Sequence, residues 1–495
     1  MIEIKESIIK KQHNFWNHAL FHPTDAVEDP WGRRILDRMS ADGAVKTVRI
    51  YSMFEDIVYI GENGELCYDF RVSDLRLDYL IDRGYDILIA YAGIPDFLAG
   101  EGGQKLGSVK QKTRYKGKMW NSSPPKDYAV WEEICYEYTK HIVERYGIET
   151  VSKWRMQCFN EPDHNAYLYG GLPKTEEVTK MRMEAYCKLY AGFEKGIRRA
   201  SDEIHIGGPT LASEKDFLRD FLEYVKENGL KLDYIAFHNY GLYTPRQLNA
   251  GENIAVEHLM KKHSDILEVI EQCGFGDTEI IVDEWGAVCS GFLNKEECPK
   301  MIFRENEVYS AFYVKLIRQM IDFDHNISKM VICLSGQHEM TEDFTGFRNF
   351  FTLNFIAKPI YNAYVLASKL GTGLLAAISD DTNISIVPTK KENGDYAVLL
   401  SYSSMHFEED IPDKEEAVVF EEDIKDKTIT VWCIDKNTTN PYRLYEKMGI
   451  SIPNDEEVKL LREEGRLKPV KVQNGSEPLI LKLTANATYL ITVTE

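Results

Sequence analysis

From about residue 14 to 370, short apolar or β-branched runs alternate with longer stretches whose apolar residues recur at helical spacing. Such alternation marks βα units built on a parallel sheet. The strands it predicts are Asn14–Phe21, Thr47–Ile50, Asp86–Tyr91, Lys153–Phe159, His205–Gly208, Tyr234–His238, Glu279–Asp283 and Ile327–Leu334. Eight of them favour a closed (β/α)8 barrel over an open doubly wound sheet. Between Asp127 and Tyr146, Val130, Trp131, Ile134, Cys135, Tyr138, Ile142, Val143 and Tyr146 fall on one helical face, which should pack on the barrel. Asp127 is placed to cap that helix, Pro124-Pro125 blocks its backward extension and Gly147 closes it.

After about residue 371 the period changes to two, in segments such as Tyr396–Tyr402, Thr428–Ile434 and Leu479–Leu483 separated by Asn-Gly and Asp-rich turns. This predicts a β-sandwich accessory domain over 371–495, following a barrel over 13–370. A short helix, Asp455–Glu464, interrupts it, and the first dozen residues, with Ile2, Ile4, Ile8 and Ile9, are suited to add a strand. With no long linker between them, the two parts are expected to pack directly on one another.

Composition narrows the function. The chain of 495 residues carries 59 basic and 79 acidic side chains, a net charge of -20, with no basic block. That charge repels nucleic-acid backbones and anionic membranes, so neither is expected as a partner. No apolar run approaches the roughly 20 residues of a membrane span, and the N-terminus lacks the pattern of a secretory signal, so the chain reads as cytoplasmic. Nine scattered cysteines without zinc spacing read as reduced, structural thiols. Neither a metal nor an organic cofactor is expected.

Barrel active sites lie at the C-terminal ends of the strands, and two carboxylates stand there. The fourth predicted strand runs into Asn160-Glu161-Pro162-Asp163, the seventh into Asp283-Glu284-Trp285-Gly286. Strands four and seven are nearly opposite in an eight-stranded barrel, so both glutamates can face one pocket. Glycoside hydrolysis needs that pair: one carboxyl protonates the leaving oxygen, the other attacks or stabilises the anomeric carbon. Glu161, partly buried near negative charge, is expected to serve as acid, and a solvated, hydrogen-bonded Glu284 as ionised nucleophile. Asn160 is suited to hold a sugar 2-hydroxyl. His238 and Tyr240, at the end of the sixth strand, are expected to orient Glu284 and touch the sugar. Trp285, Trp120 and Tyr167 are candidate stacking platforms for sugar rings.

These motifs resemble glycoside hydrolase family 39, which contains β-xylosidases and α-L-iduronidases. The resemblance rests on Ser123-Pro124-Pro125-Lys126-Asp127-Tyr128, on Arg145-Tyr146-Gly147-Ile148-Glu149 leading through Lys153-Trp154 to Asn160-Glu161-Pro162, on Ile206-Gly207-Gly208-Pro209, on Asp233-Tyr234-Ile235 with His238, on Lys358–Tyr364 and on Pro441–Gly449. It implies Glu161 as acid/base, Glu284 as nucleophile and retention of anomeric configuration through a covalent glycosyl-enzyme. It also implies that Glu339 lies near the sugar hydroxyls and that Arg348 lies where iduronidases grip a uronate carboxylate. Three departures leave the sugar open. Tyr51 stands where family members tend to have a histidine. Asp163-His164 and Asp283 are closer to the iduronidases, yet the iduronidase lysine after the sixth-strand histidine is missing, since Asn239, Tyr240 and Gly241 stand there.

The reading that results is a retaining exo-glycosidase acting on an oligosaccharide or small glycoside, foremost a β-D-xylosidase. An iduronidase-like or arabinosidase-type enzyme of the same mechanism is the near alternative. An endo-acting enzyme, decided by the loops Gly100–Ser123 and Gly286–Met301, and a non-catalytic carbohydrate-binding protein are the more distant ones. Self-association into a homo-oligomer is open.

Overall fold

A computed structural model describes residues 1–21, 27, 29–106, 120–289, 293–323, 326–334 and 340–495. Eight parallel strands close into a barrel: His18–Phe21, Thr47–Tyr51, Asp86–Tyr91, Arg155–Cys158, Ile206–Leu211, Tyr234–Leu242, Glu279–Val288 and Ile327–Leu334. These are the eight strands read from the sequence. The eighth pairs with the first, Val331 opposite His18, so no edge is left open. Leu88, Tyr234, Ala236 and Ile281, all fully buried, fill the interior on its N-terminal side.

The helix predicted after Asp127 spans Tyr128–Tyr146, with the Asp127 carboxylate accepting from the amides of Ala129 and Val130 and Gly147 (φ 79°) ending it. Its buried face carries Trp131, Ile134, Cys135, Tyr138 and Ile142. The long neighbouring helix Glu176–Ala200 approaches it closely through Gly196, where an added Cβ would meet the Glu132 carbonyl at 2.5 Å. No helix among the described residues is long and apolar enough to cross a membrane.

The remaining strands form one nine-stranded mixed sheet rather than two separate ones. Strand Ile2–Lys11 lies within it, antiparallel to Gly373–Ile378 and parallel to Lys414–Phe420, so Ile2 and Ile4 are buried in its core. The sheet curls on itself: Tyr396 and Phe420 meet edge to face at 5.4 Å although three strands lie between theirs in the hydrogen-bonded order. Strand Tyr396–Tyr402 is buried on both faces, Val398 and Leu400 toward the sheet's own core, Ala397 and Leu399 toward the barrel. Across that junction Arg443 and Asn440 hold Glu307, at 2.7 Å each, on the barrel helix Glu307–Phe323.

Candidate active site

Three barrel strands carry the reactive side chains inward by different means. On the sixth, simple alternation turns His238 and Tyr240 into the barrel. Phe237 and Asn239 point the other way, the first packing on His263 and the second donating to the Leu259 carbonyl, both on helix Val256–Gln272. On the seventh, alternation breaks. Phe237 pairs with Val282 but the next residue, His238, pairs with Glu284, so Asp283 is an extra residue. This bulge lets the successive carboxylates Asp283 and Glu284 both face inward. After the fourth strand the chain turns through Phe159 and Glu161, each with positive φ (63° and 43°). Such left-handed residues cost about 1–3 kcal/mol each and persist only where their surroundings over-determine them. Here the Glu161 amide donates to the Thr210 carbonyl (3.1 Å), and the Asp163 carboxylate accepts from the amides of Ala212, Ser213 and Glu214 at 2.8–3.0 Å.

The two glutamates meet. One oxygen of each carboxylate and a ring nitrogen of His238 lie within 4.8 Å of one another. Carboxyl groups of retaining pairs stand about 5–5.5 Å apart and those of inverting pairs about 6.5–9.5 Å, and this close approach of the nearest oxygens is of the retaining kind. Glu284 accepts from Arg49 Nη1 on Oε1 (2.8 Å) and from the Tyr240 hydroxyl on Oε2 (2.7 Å). Glu161 Oε1 accepts from His238 Nδ1 (2.8 Å), which leaves Oε2 facing out of that bond. Arg49, fully buried, also reaches Asp283 (3.1 Å) and donates to Asn160 Oδ1 (2.7 Å). With its carbonyl oxygen so held, the buried Asn160 amide nitrogen has no acceptor among the described residues.

These contacts set the charges. Burial pushes the Glu284 carboxyl up, but His238, Arg49 and the Tyr240 hydroxyl outweigh it and hold it at about 2. Burial opposes charging His238, yet the negative charges of Glu284 and Asp283, each 3.6 Å from the ring, with the bond to Glu161, keep its imidazolium well above the ordinary histidine range. The cluster Glu161, His238 and Glu284 has donor atoms close enough to hold a metal. Its field does not suit one: an arginine and an imidazolium already neutralise the carboxylates, and Glu284 has a hydrogen bond on each oxygen.

The structure brings some of the expected residues together and places others elsewhere. Asn160, His238, Tyr240 and Tyr51 gather with the glutamates; Tyr51 lies 3.4 Å from Arg49. Tyr167, half-buried, lies close enough to both carboxylates for their charges to push its hydroxyl pKa up, after burial itself. Glu284 is not solvated: its side chain is 10% exposed against 17% for Glu161, and it stays ionised through cationic partners instead. His238 bonds Glu161 rather than orienting Glu284, from which it stands 3.6 Å. Trp285 is no stacking platform. It is fully buried on the outer side of its strand, stacked on Tyr313 at 5.9 Å, because the residue after an inward Glu284 must point outward. Arg348 lies beside the pocket, donating to the Tyr240 hydroxyl (2.9 Å) and to the Cys289 carbonyl. Glu339 and the Trp120 side chain lie outside the described residues, as do parts of the loops expected to decide exo or endo action. The sequence reading missed Arg49, Asp283 and Gln157, the last donating to Asp283 at 2.8 Å. The signal for Arg49 was available: a lone charge inside the apolar run Val48-Arg49-Ile50.

Comparison with known proteins agrees with this geometry. The family model described as glycosyl hydrolases family 39 matches residues 1–476. A β-xylosidase of Caldicellulosiruptor saccharolyticus is 23% identical over 94% of this chain and 91% of its own. The human α-L-iduronidase is 23% identical over 56% of this chain and 37% of its own. Among solved structures, a monomeric β-xylosidase from Caulobacter crescentus superposes with a TM-score of 0.81 at 17% identity, covering 99% of both chains.

Proposed function

Because the chain belongs to glycosyl hydrolases family 39, a family of retaining O-glycosidases, we propose that it is an exo-acting β-D-xylosidase with Glu161 as acid/base and Glu284 as nucleophile. The observation that carries this reading is the facing pair of carboxylates, one of them held ionised at about 2 by His238, Arg49 and Tyr240 against its own burial.

In the first step a Glu284 oxygen attacks the anomeric carbon while Glu161, carrying its proton on Oε2, protonates the departing glycosidic oxygen. The C–O bond to the leaving group breaks and an ester to Glu284 forms. Glu161 is left as a carboxylate, which His238 Nδ1 stabilises from Oε1. In the second step Glu161 takes a proton from water, the water oxygen attacks the same carbon, and Glu284 departs as a carboxylate onto Arg49 and Tyr240. Two inversions give net retention. Asn160, its carbonyl fixed by Arg49 and its amide nitrogen without an acceptor among the described residues, is the donor for the sugar 2-hydroxyl, a bond that strengthens as the ring gains oxocarbenium character.

The xyloside assignment draws on the β-xylosidase relatives at 22–23% identity. A uronide is the second reading, since Arg348 sits beside Tyr240 and α-L-iduronidases are also among the relatives. A panel of nitrophenyl glycosides tests both. Cleavage of the β-D-xyloside, with the β-anomer of xylose appearing first by NMR, is the expected result; preference for the α-L-iduronide or an arabinoside would replace it. Azide separates the two glutamates. It should restore Glu284→Ala through attack on the vacated face, giving the inverted glycosyl azide, and restore Glu161→Ala with the retained one. The same product from both variants would refute the assignment of roles.

A further inference from the structure

Beside the catalytic pocket, a second cavity of about 320 Å³ opens at the C-terminal rim, between the loops after the fifth and sixth strands and the first half of helix Val256–Gln272. Its chemistry is opposite to that of the whole molecule. In a chain of net charge -20, the cavity is lined by Lys215, Lys261, Lys262 and His258 against a single carboxylate, Asp265. Asp265 is 3.5 Å from Lys215, and Lys261 has no ion-pair partner among the described residues. Lys262, part-buried, donates to the Tyr240 carbonyl and lies 3.4 Å over the ring of Tyr243, which is 46% exposed and forms a wall. His238, the residue bonded to Glu161, lines the same cavity with its backbone, its imidazole being wholly buried, and Ala212 and Ser213, which also line it, give their amides to the Asp163 carboxylate two residues from Glu161.

We propose that this cavity binds an oxyanion, carboxylate or sulfate, carried by the part of the substrate that leaves with the Glu161 proton. The inference rests on the role given above to Glu161. An acid delivers its proton to the glycosidic oxygen from the side where the leaving group lies, and the cavity borders that side at Ala212 and Ser213, which hold the loop carrying Glu161. Repulsion from an acidic protein disfavours an anionic leaving group everywhere except where lysines gather. A half-exposed tyrosine wall with ammonium groups around it suits a sugar ring bearing an acid. The helix N-terminus nearby is not the anion site, because Asp163 already occupies the amides of Ala212, Ser213 and Glu214.

The test compares xylobiose with its aldonic acid, in which the reducing-end sugar carries a carboxylate, for the wild type and for Lys215→Ala/Lys261→Ala. Both lysines are exposed and neither touches the catalytic groups. Wild type should prefer the acid by about tenfold in kcat/KM through KM, the effect of roughly one charge-assisted hydrogen bond. The double variant should lose that preference and keep its rate on xylobiose within about twofold. Equal rates on the two substrates, or a preference that survives in the variant, would overturn the proposal. Calorimetric titration with inorganic sulfate reads the site independently of turnover. If no glycoside is cleaved, the function proposed above fails, and the titration alone decides the cavity: sulfate bound by wild type and not by the variant supports it, and no binding overturns it. Sulfate binding without preference for the aldonic acid overturns the leaving-group assignment and identifies a site for free anions.

Discussion

Replacing Tyr240 by phenylalanine removes one hydroxyl from the site and leaves every carbon in place. That hydroxyl donates to Glu284 Oε2 at 2.7 Å. A buried hydrogen bond to a charged group contributes about 1.5–3 kcal/mol, which corresponds to about 1–2 pH units or to about 10–100-fold in rate. The sign follows from which form is stabilised. The donor favours the carboxylate, so its loss raises the Glu284 pKa from about 2 toward roughly 3–4. In the second chemical step Glu284 is the leaving group, and without the hydroxyl its departure is slower. The expected phenotype is a fall in kcat of about 10–100-fold, a fall in KM with it as glycosyl-enzyme accumulates, and an acid limb of kcat/KM that rises into the measurable range. Stopped-flow release of dinitrophenolate from an activated glycoside should show a burst near one equivalent per enzyme. Arg348 loses an acceptor as well but keeps the Cys289 carbonyl, so pocket collapse is not expected. A variant with an unmoved acid limb and no burst would refute the assignment of Tyr240 to the departing carboxylate, and with it the direction of the proposed mechanism.

Two further outcomes follow from the surrounding bonds. Asp163→Ala removes the acceptor of three amides and should lower stability by roughly 2–4 kcal/mol, read from the denaturant midpoint, while slowing turnover because the Glu161 loop loses its tie to the loop after the fifth strand. Asp283→Asn takes away one of the two charges that keep His238 protonated, so the His238 pKa falls. A group raised in the folded state stabilises fully below its unfolded pKa of about 6.5 and loses that contribution as pH rises through the folded value, so the variant should lose stability at a lower pH than wild type. Thermal melts from pH 5 to 9 that shift in parallel for both proteins would rule this out.

Much of the architecture was legible because buried parallel strands write themselves as short apolar runs. All eight barrel strands, and in the sheet Tyr396–Tyr402, Thr428–Ile434 and Leu479–Leu483, lie where period and turn residues put them. What the period does not encode is the curl that makes one sheet into both layers of the sandwich, since that depends on pairings between distant segments such as Ile2 with Val418. At the site, Glu161 and Glu284 were readable as carboxylates at strand ends. The supporting shell was not, because a bulge at Asp283 shifts the inward face by one residue and leaves no mark in composition.

The misreading of Trp285 and the omission of Arg49 have one physical root. Strand alternation ties each residue's side to its neighbour's, so an inward Glu284 already requires an outward Trp285, and an inward Tyr51 already requires an inward Arg49. An arginine fully inside a barrel is sustainable only if carboxylates meet it, because an unpaired buried charge costs several kcal/mol. Arg49 thus demands anions from the facing strands. Asp283 and Glu284 on the seventh supply them, and the bulge that brings both inward is what allows one cation to hold two. The Asn160 carbonyl takes the guanidinium's remaining reach on the side of the fourth strand. One charged residue in an apolar second strand, followed through alternation and charge pairing, therefore leads to the nucleophile on the seventh strand and to the residue next to the acid on the fourth.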